Sequence, residues 1–349
     1  MTKISFDKIK LNKIIIFSPN WVGDSVISTV MLNPIKQEFP LATIVIAANK
    51  YVYPLWKANP LVKEVWGSET RGLAYIISYI KFFFRLKKNN FDLAIILPHC
   101  FRYALFAFFA GIPLRVAYHV GHRKILLTHY LDYNPSLRKE HMLDNYLAIL
   151  KALGIESRNR ELVLHVARED ETKAENFLQT HQIAKDEMII GIGPGAIYGE
   201  AKRWPKEKYL KLINALSGAY KARIFIFTGP GEKALANWFK GKVHNSYVIF
   251  IDHSLLSEVM GLIKKCSLFI GNDSGLIHIA SALNIKSISL FGSTSPKWTA
   301  PYGGNNIILY KQISCSPCFA RVCNLGHYSC LNSISVKDVM NAAGAQLKR

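Results

Sequence analysis

The strongest constraint on the fold is a regular alternation of short apolar runs and helical periods in the second half of the chain. Short runs rich in isoleucine and phenylalanine predict buried parallel strands, and the segments between them predict crossover helices. The strand-like runs are MIIGIG (188–193), RIFIFTG (223–229), YVIFID (247–252), SLFIGN (267–272) and SISLFG (287–292), and the helical segments are PKEKYLKLINALS (205–217), EKALANWFKG (232–241), LLSEVMGLIKKC (255–266) and GLIHIASALN (275–284). This rhythm predicts a doubly wound α/β sheet.

The chain up to Leu150 has the same rhythm, with KIIIF (13–17), SVISTVMLNPIKQEF (25–39), TIVIAA (43–48) and FDLAIILP (91–98). Since 349 residues exceed the roughly 150 residues of a typical domain, two α/β domains are expected. We place them at 1–167 and 168–332, with the ligand in a cleft between the facing sheets. The remaining segment, 333–349, contains a helical pattern at 336–348 that could pack back on the N-terminal domain.

The chain is strongly basic. Lysine and arginine outnumber aspartate and glutamate by 44 to 24, which gives a net charge of +20. This excess favours phosphates, an anionic membrane surface or nucleic acid, and it does not distinguish among them. The N-terminal TKISFDKIKLNKIIIF has no long apolar core before a small-residue cleavage site, so we expect no secretory signal and a cytoplasmic protein.

Any membrane contact is expected to be peripheral. The most apolar stretch, 104–113, is shorter than the roughly 20 residues of a spanning helix. The segment 71–90 (RGLAYIISYIKFFFRLKKNN) mixes aromatic and basic residues, as a helix lying on an anionic membrane does. A helix packed on the core with a solvated basic end has the same pattern, so both interpretations remain open.

The segment LFIGNDSGLIHIASAL (268–283) places an acidic turn where a strand leads into a helix. Such a turn can bind an anion or another ligand at the helix N-terminus. Asp273 or Ser274 can equally serve as an ordinary N-cap residue. The turn alone does not separate these interpretations.

Two further glycine-bearing turns follow strands of the same predicted domain. GIGPGA (191–196) partly fits a dinucleotide fingerprint, but no helical period follows it directly and no acidic residue stands about 20 positions later. A nicotinamide oxidoreductase is therefore disfavoured. Lys202, in the loop after this strand, can neutralise a phosphate or form part of a solvated surface. With TGPGE (228–232), three polar strand ends indicate a phosphate-containing ligand.

Asp24 lies in SPNWVGDS (18–25), which joins the first strand to the first helix. It can cap the helix, or it can accept a proton from a bound hydroxyl as a general base. The sequence leaves both roles open.

Four of the six cysteines lie in CSPCFARVCNLGHYSC (315–330). The spacing of Cys315 and Cys318 is typical of a zinc site, whereas that of Cys323 and Cys330 is too wide. Structural zinc is therefore the weaker alternative to plain thiols that pack a loop.

Several of these motifs together resemble one family. FSPNWVGDSVIS, GPGAIYGEAKRWP, GNDSGLIHIASAL followed by LFGSTSP, and CSPCFARVCNLGHYSC are similar, in this order, to the ADP-heptose:lipopolysaccharide heptosyltransferases, and most similar to the heptosyltransferase II branch. The resemblance spans residue 13 to about residue 335. It implies a GT-B fold with two Rossmann-like domains and an inverting transfer of heptose at the cytoplasmic face of the inner membrane.

The resemblance also assigns roles to individual residues. Asp24 would be the general base for the acceptor hydroxyl, and Lys202 would bind the diphosphate or the donor sugar. Glu232 would bind the adenosine. Asp273 would hold heptose hydroxyls.

In the same way, Ser274 and Gly275 would offer N–H groups to the phosphates, with His278 one turn further along the helix. The chain has no Asp-x-Asp motif, which many metal-dependent sugar-nucleotide enzymes use, so we expect catalysis without a metal or other cofactor.

The implied partners are ADP-L-glycero-D-manno-heptose as donor and the heptosyl-Kdo2-lipid A inner core of lipopolysaccharide as acceptor. Heptosyltransferases I and III are the alternatives within the family, and they differ in acceptor. A nucleic-acid-binding protein is the alternative of another class, but no recognition helix, zinc finger or RNP-like aromatic pair supports it. We therefore expect no nucleic-acid partner.

Overall fold

The computed structural model describes residues 11–68, 73–252 and 254–348. The chain divides into two compact units, Met1–His165 and Val166–Arg349, close to the boundary expected at residue 167. Residues 1–10, on which part of the expectation about a secretory signal rests, lie outside the described residues. So does Arg71 of the basic aromatic segment.

The first unit is built on a six-stranded parallel sheet in the order β3-β2-β1-β4-β5-β6. Its central strands are buried, as their isoleucine-rich runs predict. The edge strands β3 and β6, and β5 next to β6, have weaker apolar runs and were not predicted. The strands are β1 Lys13–Phe17, β2 Thr43–Asn49, β3 Glu64–Ser68, β4 Leu93–Ile96, β5 Leu114–His119 and β6 His129–Asp132.

In the described part of the first unit, five α-helices lie between the strands and a sixth follows β6; they are α1 Val22–Ser28, α2 Leu32–Glu38, α3 Tyr53–Lys57, α4 Leu73–Lys88, α5 Phe101–Phe109 and α6 Met142–Ala152. The single helix predicted at 25–39 begins earlier and is interrupted by a 3₁₀ turn, Thr29–Met31. The Thr29 hydroxyl donates to the carbonyl of Val26 at 2.7 Å and accepts the N–H of Val163 at 3.0 Å. Such back-bonding by a threonine side chain bends a helix at this position.

The second unit contains another six-stranded parallel sheet, in the order β12-β11-β10-β7-β8-β9. Each predicted strand of this half is present, and β12 was not predicted because its run NIILY is only partly buried. The strands are β7 Ile189–Gly193, β8 Arg223–Phe227, β9 Val248–Ile251, β10 Leu268–Asn272, β11 Ser287–Phe291 and β12 Asn306–Tyr310.

The helices of the second unit are α7 Arg168–Thr180, α8 Lys206–Tyr220, α9 Lys233–Lys240, α10 Leu256–Lys264, α11 Gly275–Ala282, α12 Pro296–Thr299, α13 Ser329–Asn332 and α14 Val336–Leu347. None of the helices in the described ranges is long and apolar enough to cross a membrane.

The terminal helix α14 packs against the core of the second unit. Its apolar face, with Val339, Ala342 and Ala343, is buried in the core that covers the second sheet. A capping box fixes its start, because Ser335 and Asp338 exchange side-chain hydrogen bonds with each other's backbone N–H groups at 3.1 and 2.9 Å. The segment 333–349 therefore belongs to the second domain.

Candidate active site

Asn272, the last residue of β10, joins two neighbouring strand ends of the second sheet. Its side-chain oxygen accepts the N–H of Trp204 and the O–H of Tyr209, each at 3.0 Å. Its amide nitrogen donates to the carbonyls of Pro194 at 2.8 Å and Gly195 at 3.2 Å. Because Asn272 is fully buried, these bonds use its whole polar capacity to hold the loops after β7 and β10 together.

Asp273 is the centre of a buried charged cluster. Its Oδ2 lies 2.6 Å from the Lys202 ammonium group and accepts hydroxyl hydrogen bonds from Thr294 at 2.6 Å and Thr299 at 3.2 Å. Its Oδ1 lies 3.6 Å from Nε2 of His278. Burial alone would raise the pKa of the Asp273 carboxyl, but the charges and hydrogen bonds of Lys202 and His278 hold it well below its usual range.

The helix α11 begins beside this cluster with an open N-terminus. Ser274 occupies the N-cap position, but its side chain makes no capping hydrogen bond, and both Ser274 and Gly275 are half-buried. Asp273 is therefore not the cap residue. His278 is buried, and its Nδ1 has no hydrogen-bond partner within the described ranges. The first turn of α11 is suited to a negatively charged ligand.

Glu232 lies between two glycine-bearing loops. Its carboxylate accepts the N–H of Gly229 at 2.9 Å. A Cβ atom added to Gly195 would lie 2.0–2.3 Å from the Glu232 carboxyl group, so only glycine fits there. Gly195, the second glycine of GPGA, thus allows its loop to pack closely against the Glu232 carboxylate. A loop and a 3₁₀ turn, Glu200–Lys202, follow β7, so the helix that a dinucleotide fingerprint requires is not there.

In the first unit, Asp24 lies in the first turn of α1, whose N-cap residue is Trp21. The preceding loop is held by hydroxyl groups: Ser18 and Ser25 both donate to the carbonyl of Pro19, at 3.0 and 2.9 Å, and Trp56 donates its indole N–H to Ser18. Asp24 is half-buried and does not occupy the cap position that the sequence had left open. These bonds fix the start of the helix that carries it.

Tyr146 lies near Asp24, and Tyr118 lies near Tyr146; neither tyrosine was singled out from the sequence. Burial raises the pKa of Tyr146 well above its usual range, and the negative charge of Asp24 raises it further. Burial also raises the pKa of Tyr118 to about 12, and its hydroxyl donates to the carbonyl of Asn145 at 3.0 Å. Both phenols therefore stay protonated at neutral pH.

Arg123 is a third residue that the sequence did not indicate. It follows β5 and is 1% exposed, yet only one of its nitrogens has a described partner, the carbonyl of Pro98 at 2.7 Å. Its Nε and Nη2 have none among the residues that the structure describes. Burial lowers the pKa of the neighbouring His99, and the positive charge of Arg123 lowers it further. A buried guanidinium with two unpaired nitrogens is costly unless an anion completes it.

The cysteine-rich segment lies in the second unit. In the described part of the chain, no three His, Cys, Asp or Glu side chains are placed to hold a metal ion. Cys330 is buried in the second core, whereas Cys318 is exposed. The segment also supports the loop that carries Lys202, since the carbonyl of Arg321 accepts the N–H of Ala201 at 2.9 Å.

The two Rossmann-like units, with a charged cluster and an open helix N-terminus at the strand ends of the second, define a class: α/β proteins with two parallel sheets and a strand-end site suited to an anion. The model of glycosyltransferase family 9 (heptosyltransferase) matches residues 79–329. The chain belongs to this family.

Individual relatives agree with this assignment. The chain is 31% identical to lipooligosaccharide heptosyltransferase 2 of Haemophilus ducreyi, over 85% of this chain and 88% of that protein. It is 28% identical to lipopolysaccharide heptosyltransferase 2 of Escherichia coli K12, over 83% and 85%. Lipopolysaccharide heptosyltransferase 3 of the same strain is 25% identical, over 82% and 84%.

Solved structures share the fold. The chain superposes on E. coli ADP-heptose lipopolysaccharide heptosyltransferase II with a TM-score of 0.81 and 24% identity, covering 96% of this chain and 98% of that one. A family 9 glycosyltransferase from Veillonella parvula gives a TM-score of 0.85 at 20% identity, covering 97% and 98%. The GT-B fold class expected from the sequence, with two Rossmann-like domains, is thereby confirmed.

The buried pair of Lys202 and Asp273 should be strongly coupled. Asp273→Asn leaves the Lys202 ammonium buried without its counter-ion, so the free energy of unfolding should fall by about 3–5 kcal/mol. The double variant Lys202→Met/Asp273→Asn should lose less than the sum of the single losses. Urea unfolding of the four proteins measures this. The exposed pair of Arg85 and Glu64, whose nitrogen and oxygen atoms lie 2.8 Å apart, is the control. This pair should show a coupling energy below about 1 kcal/mol. Additive losses at Lys202 and Asp273 would contradict the coupling.

The same pair makes stability depend on pH. Because the folded-state pKa of Asp273 is lowered, its stabilisation is fully present above about pH 4, the ordinary pKa of an unfolded aspartate, and is lost as the pH falls further. The Asp273→Asn variant should therefore lose less stability than the wild type between neutral and acidic pH. Parallel stability curves for the two proteins would show that Asp273 is not the group responsible.

Proposed function

We propose that the protein transfers L-glycero-D-manno-heptose, with inversion, from ADP-heptose to the heptosyl-Kdo2-lipid A inner core of lipopolysaccharide. Family membership makes it a heptosyltransferase, and two relatives named heptosyltransferase 2 support this acceptor. The single observation that carries the donor assignment is the Lys202–Asp273 pair beside the open N-terminus of α11. That arrangement suits a ligand with both phosphates and hydroxyl groups.

The donor's diphosphate would bind at the first turn of α11, where Ser274 and Gly275 offer backbone N–H groups. Lys202 supplies a positive charge to the same ligand. Its pairing with Asp273 keeps the ammonium group in place, and Oδ1 of Asp273 is the carboxylate oxygen that would accept a heptose hydroxyl next to His278. Glu232, buried between the two glycine loops, would accept hydroxyl hydrogen bonds from the adenosine.

The reaction is one displacement. Asp24 takes the proton of the acceptor hydroxyl while that oxygen forms a bond to the anomeric carbon of the heptose. The bond from this carbon to the ADP oxygen breaks, and its electron pair leaves with the diphosphate. Attack opposite to the leaving group inverts the anomeric centre. The positive end of α11 and Lys202 stabilise the charge that develops on ADP.

Arg123 supports the proposal that the acceptor carries negative charge. Its two unpaired nitrogens can receive a carboxylate or phosphate in a charge-assisted, bidentate hydrogen bond, and Kdo and phosphate groups of the inner core offer both. Heptosyltransferases I and III remain the alternatives, because their acceptors are also anionic. A lipid-anchored acceptor further implies that the enzyme works in peripheral contact with the inner face of the inner membrane.

The first experiment compares ADP release from ADP-L-glycero-D-manno-heptose with three acceptor conditions: heptosyl-Kdo2-lipid A, Kdo2-lipid A and none. We expect release only with the first. Release only with Kdo2-lipid A would assign heptosyltransferase I, and release with neither would contradict the proposed reaction.

In the same assay, Asp24→Asn should lower kcat by about 10²–10⁴-fold, because the amide cannot accept the proton. The donor KM should change little. Glu156→Gln, which removes an exposed carboxylate of the same unit, is the matched control and should be as active as the wild type. An Asp24→Asn enzyme of nearly normal kcat would exclude Asp24 as the base.

Catalysis should not need a divalent metal, since Lys202 and the α11 N-terminus would stabilise the departing diphosphate. We expect equal initial rates with EDTA and with added Mg²⁺. A rate that falls on chelation and returns on addition of Mg²⁺ would contradict this prediction.

Arg123→Met tests the acceptor site. Losing one charge-assisted interaction of about 1.5–3 kcal/mol should raise the acceptor KM by roughly 10–100-fold, with the donor KM unchanged. Because the unpaired buried charge is removed, the free energy of unfolding should stay equal or increase. A destabilised variant with a normal acceptor KM would show that Arg123 has a structural role instead.

A further inference from the structure

Helix α4 of the first unit carries apolar residues on two opposite faces. On the inner face, Phe82 and Leu86 are buried in the core over the first sheet. On the outer face, Ile77, Ile80 and Phe84 are 49%, 53% and 64% exposed. Their i, i+3, i+7 spacing places them in one stripe, at the position where a surface helix of a globular protein normally has polar residues.

Helix α5 extends this surface. It packs beside α4 through Phe106, whose ring lies 5.9 Å from that of Phe83 and 5.8 Å from that of Tyr79. Both helices cover the same face of the first sheet, because both contribute to one core cluster. The exposed large apolar residues of the two helices are Ile77, Ile80, Phe84, Phe101, Phe108 and Phe109, which together we term the α4–α5 face.

The charged residues of α4 and α5 are all basic. Neither helix contains an aspartate or glutamate, and α4 ends in exposed Lys87 and Lys88, with exposed Lys81 in its middle. Arg85 is directed elsewhere, since it pairs with Glu64 at 2.8 Å and stacks on Trp66. The lysines can extend their charged ends around the aromatic residues, as side chains at a lipid interface do.

We propose that the α4–α5 face docks on the surface of an anionic lipid bilayer. The 16 residues of α4 are too few to span a membrane, so the helix would lie in the plane of the interface. Exposed aromatic residues would enter the boundary of the acyl chains, and the lysines would contact anionic head groups. Uniformly positive charge favours this partner over a second copy of the chain, whose face would repel it. The inference rests on the surface itself and does not depend on the proposed acceptor.

Vesicle co-sedimentation tests the proposal, with phosphatidylcholine vesicles either alone or containing phosphatidylglycerol. The wild type should bind the anionic vesicles, and added salt should weaken this binding. Phe84→Ser/Ile80→Ser should weaken it by at least about tenfold, because two apolar side chains no longer enter the interface. Leu41→Ser, at a residue 94% exposed but outside the face, is the control and should bind as the wild type does.

The electrostatic part is tested separately. Lys87→Glu/Lys88→Glu should weaken binding by more than about tenfold, whereas Lys211→Glu/Lys337→Glu, with the same change in net charge on the second unit, should weaken it much less. If both double variants lost the same amount of vesicle binding, net charge alone would explain the effect, and the proposal would be overturned. Absence of wild-type binding, or normal binding by the Phe84→Ser/Ile80→Ser variant, would also overturn it.

Two further readouts separate this proposal from others. A wild-type dimer in sedimentation velocity that Phe84→Ser dissociates would assign the face to a second copy of the chain and reject the lipid. Turnover of ADP-heptose with a water-soluble, delipidated core acceptor should be the same for Phe84→Ser/Ile80→Ser and the wild type. If that turnover is absent in both while vesicle binding persists, the proposed acceptor fails and the docking surface stands.

Discussion

The strand-end loops of the second unit are held together by the interactions that compensate the negative charge of one buried carboxylate, Asp273. Asp273 is 3% exposed, and a carboxylate so deeply buried persists in ionised form only with a counter-charge and with hydrogen bonds to its oxygens. Lys202 provides the charge, and Thr294 and Thr299 provide hydroxyl donors. These partners come from the loops after β7 and β11 and from α12, so one carboxylate ties together segments that are far apart in sequence. The neighbouring Asn272 joins the same loops with neutral hydrogen bonds.

This compensation has a consequence for the diphosphate of the proposed donor. Lys202 and Asp273 together carry no net charge, so the cluster attracts an anion less than an unpaired lysine would. The N–H groups at the start of α11 must then contribute much of the attraction. A helix N-terminus binds phosphate through fixed dipoles, which need no change in side-chain conformation.

The sequence predicted most of the fold and only part of the site. The buried strands of the second sheet were predicted because each is a continuous apolar run, whereas β12 and the edge strands of the first sheet are only partly buried and lack that signal. The contact of Lys202 with Asp273 spans 71 positions. It exists because β7 and β10 are neighbours in the sheet, and the order of strands along the chain does not reveal this. The family resemblance named both residues but gave no reason for their pairing.

Arg123, in contrast, is a residue of the candidate site that the sequence did not predict. No motif surrounds it, and a lone arginine in a basic chain is most simply explained as a surface residue. Only the structure reveals that its guanidinium is buried with two nitrogens unpaired. Lys202 and Arg123 are thus two cations in different states: Lys202 pairs with a carboxylate, whereas Arg123 has no carboxylate partner among the described residues. The energetic cost of the buried Arg123 charge would be recovered when an anion binds, so burial itself would give the proposed acceptor site selectivity for an anion. An exposed arginine would bind the same anion with water as a competitor, and it would discriminate less against a neutral sugar.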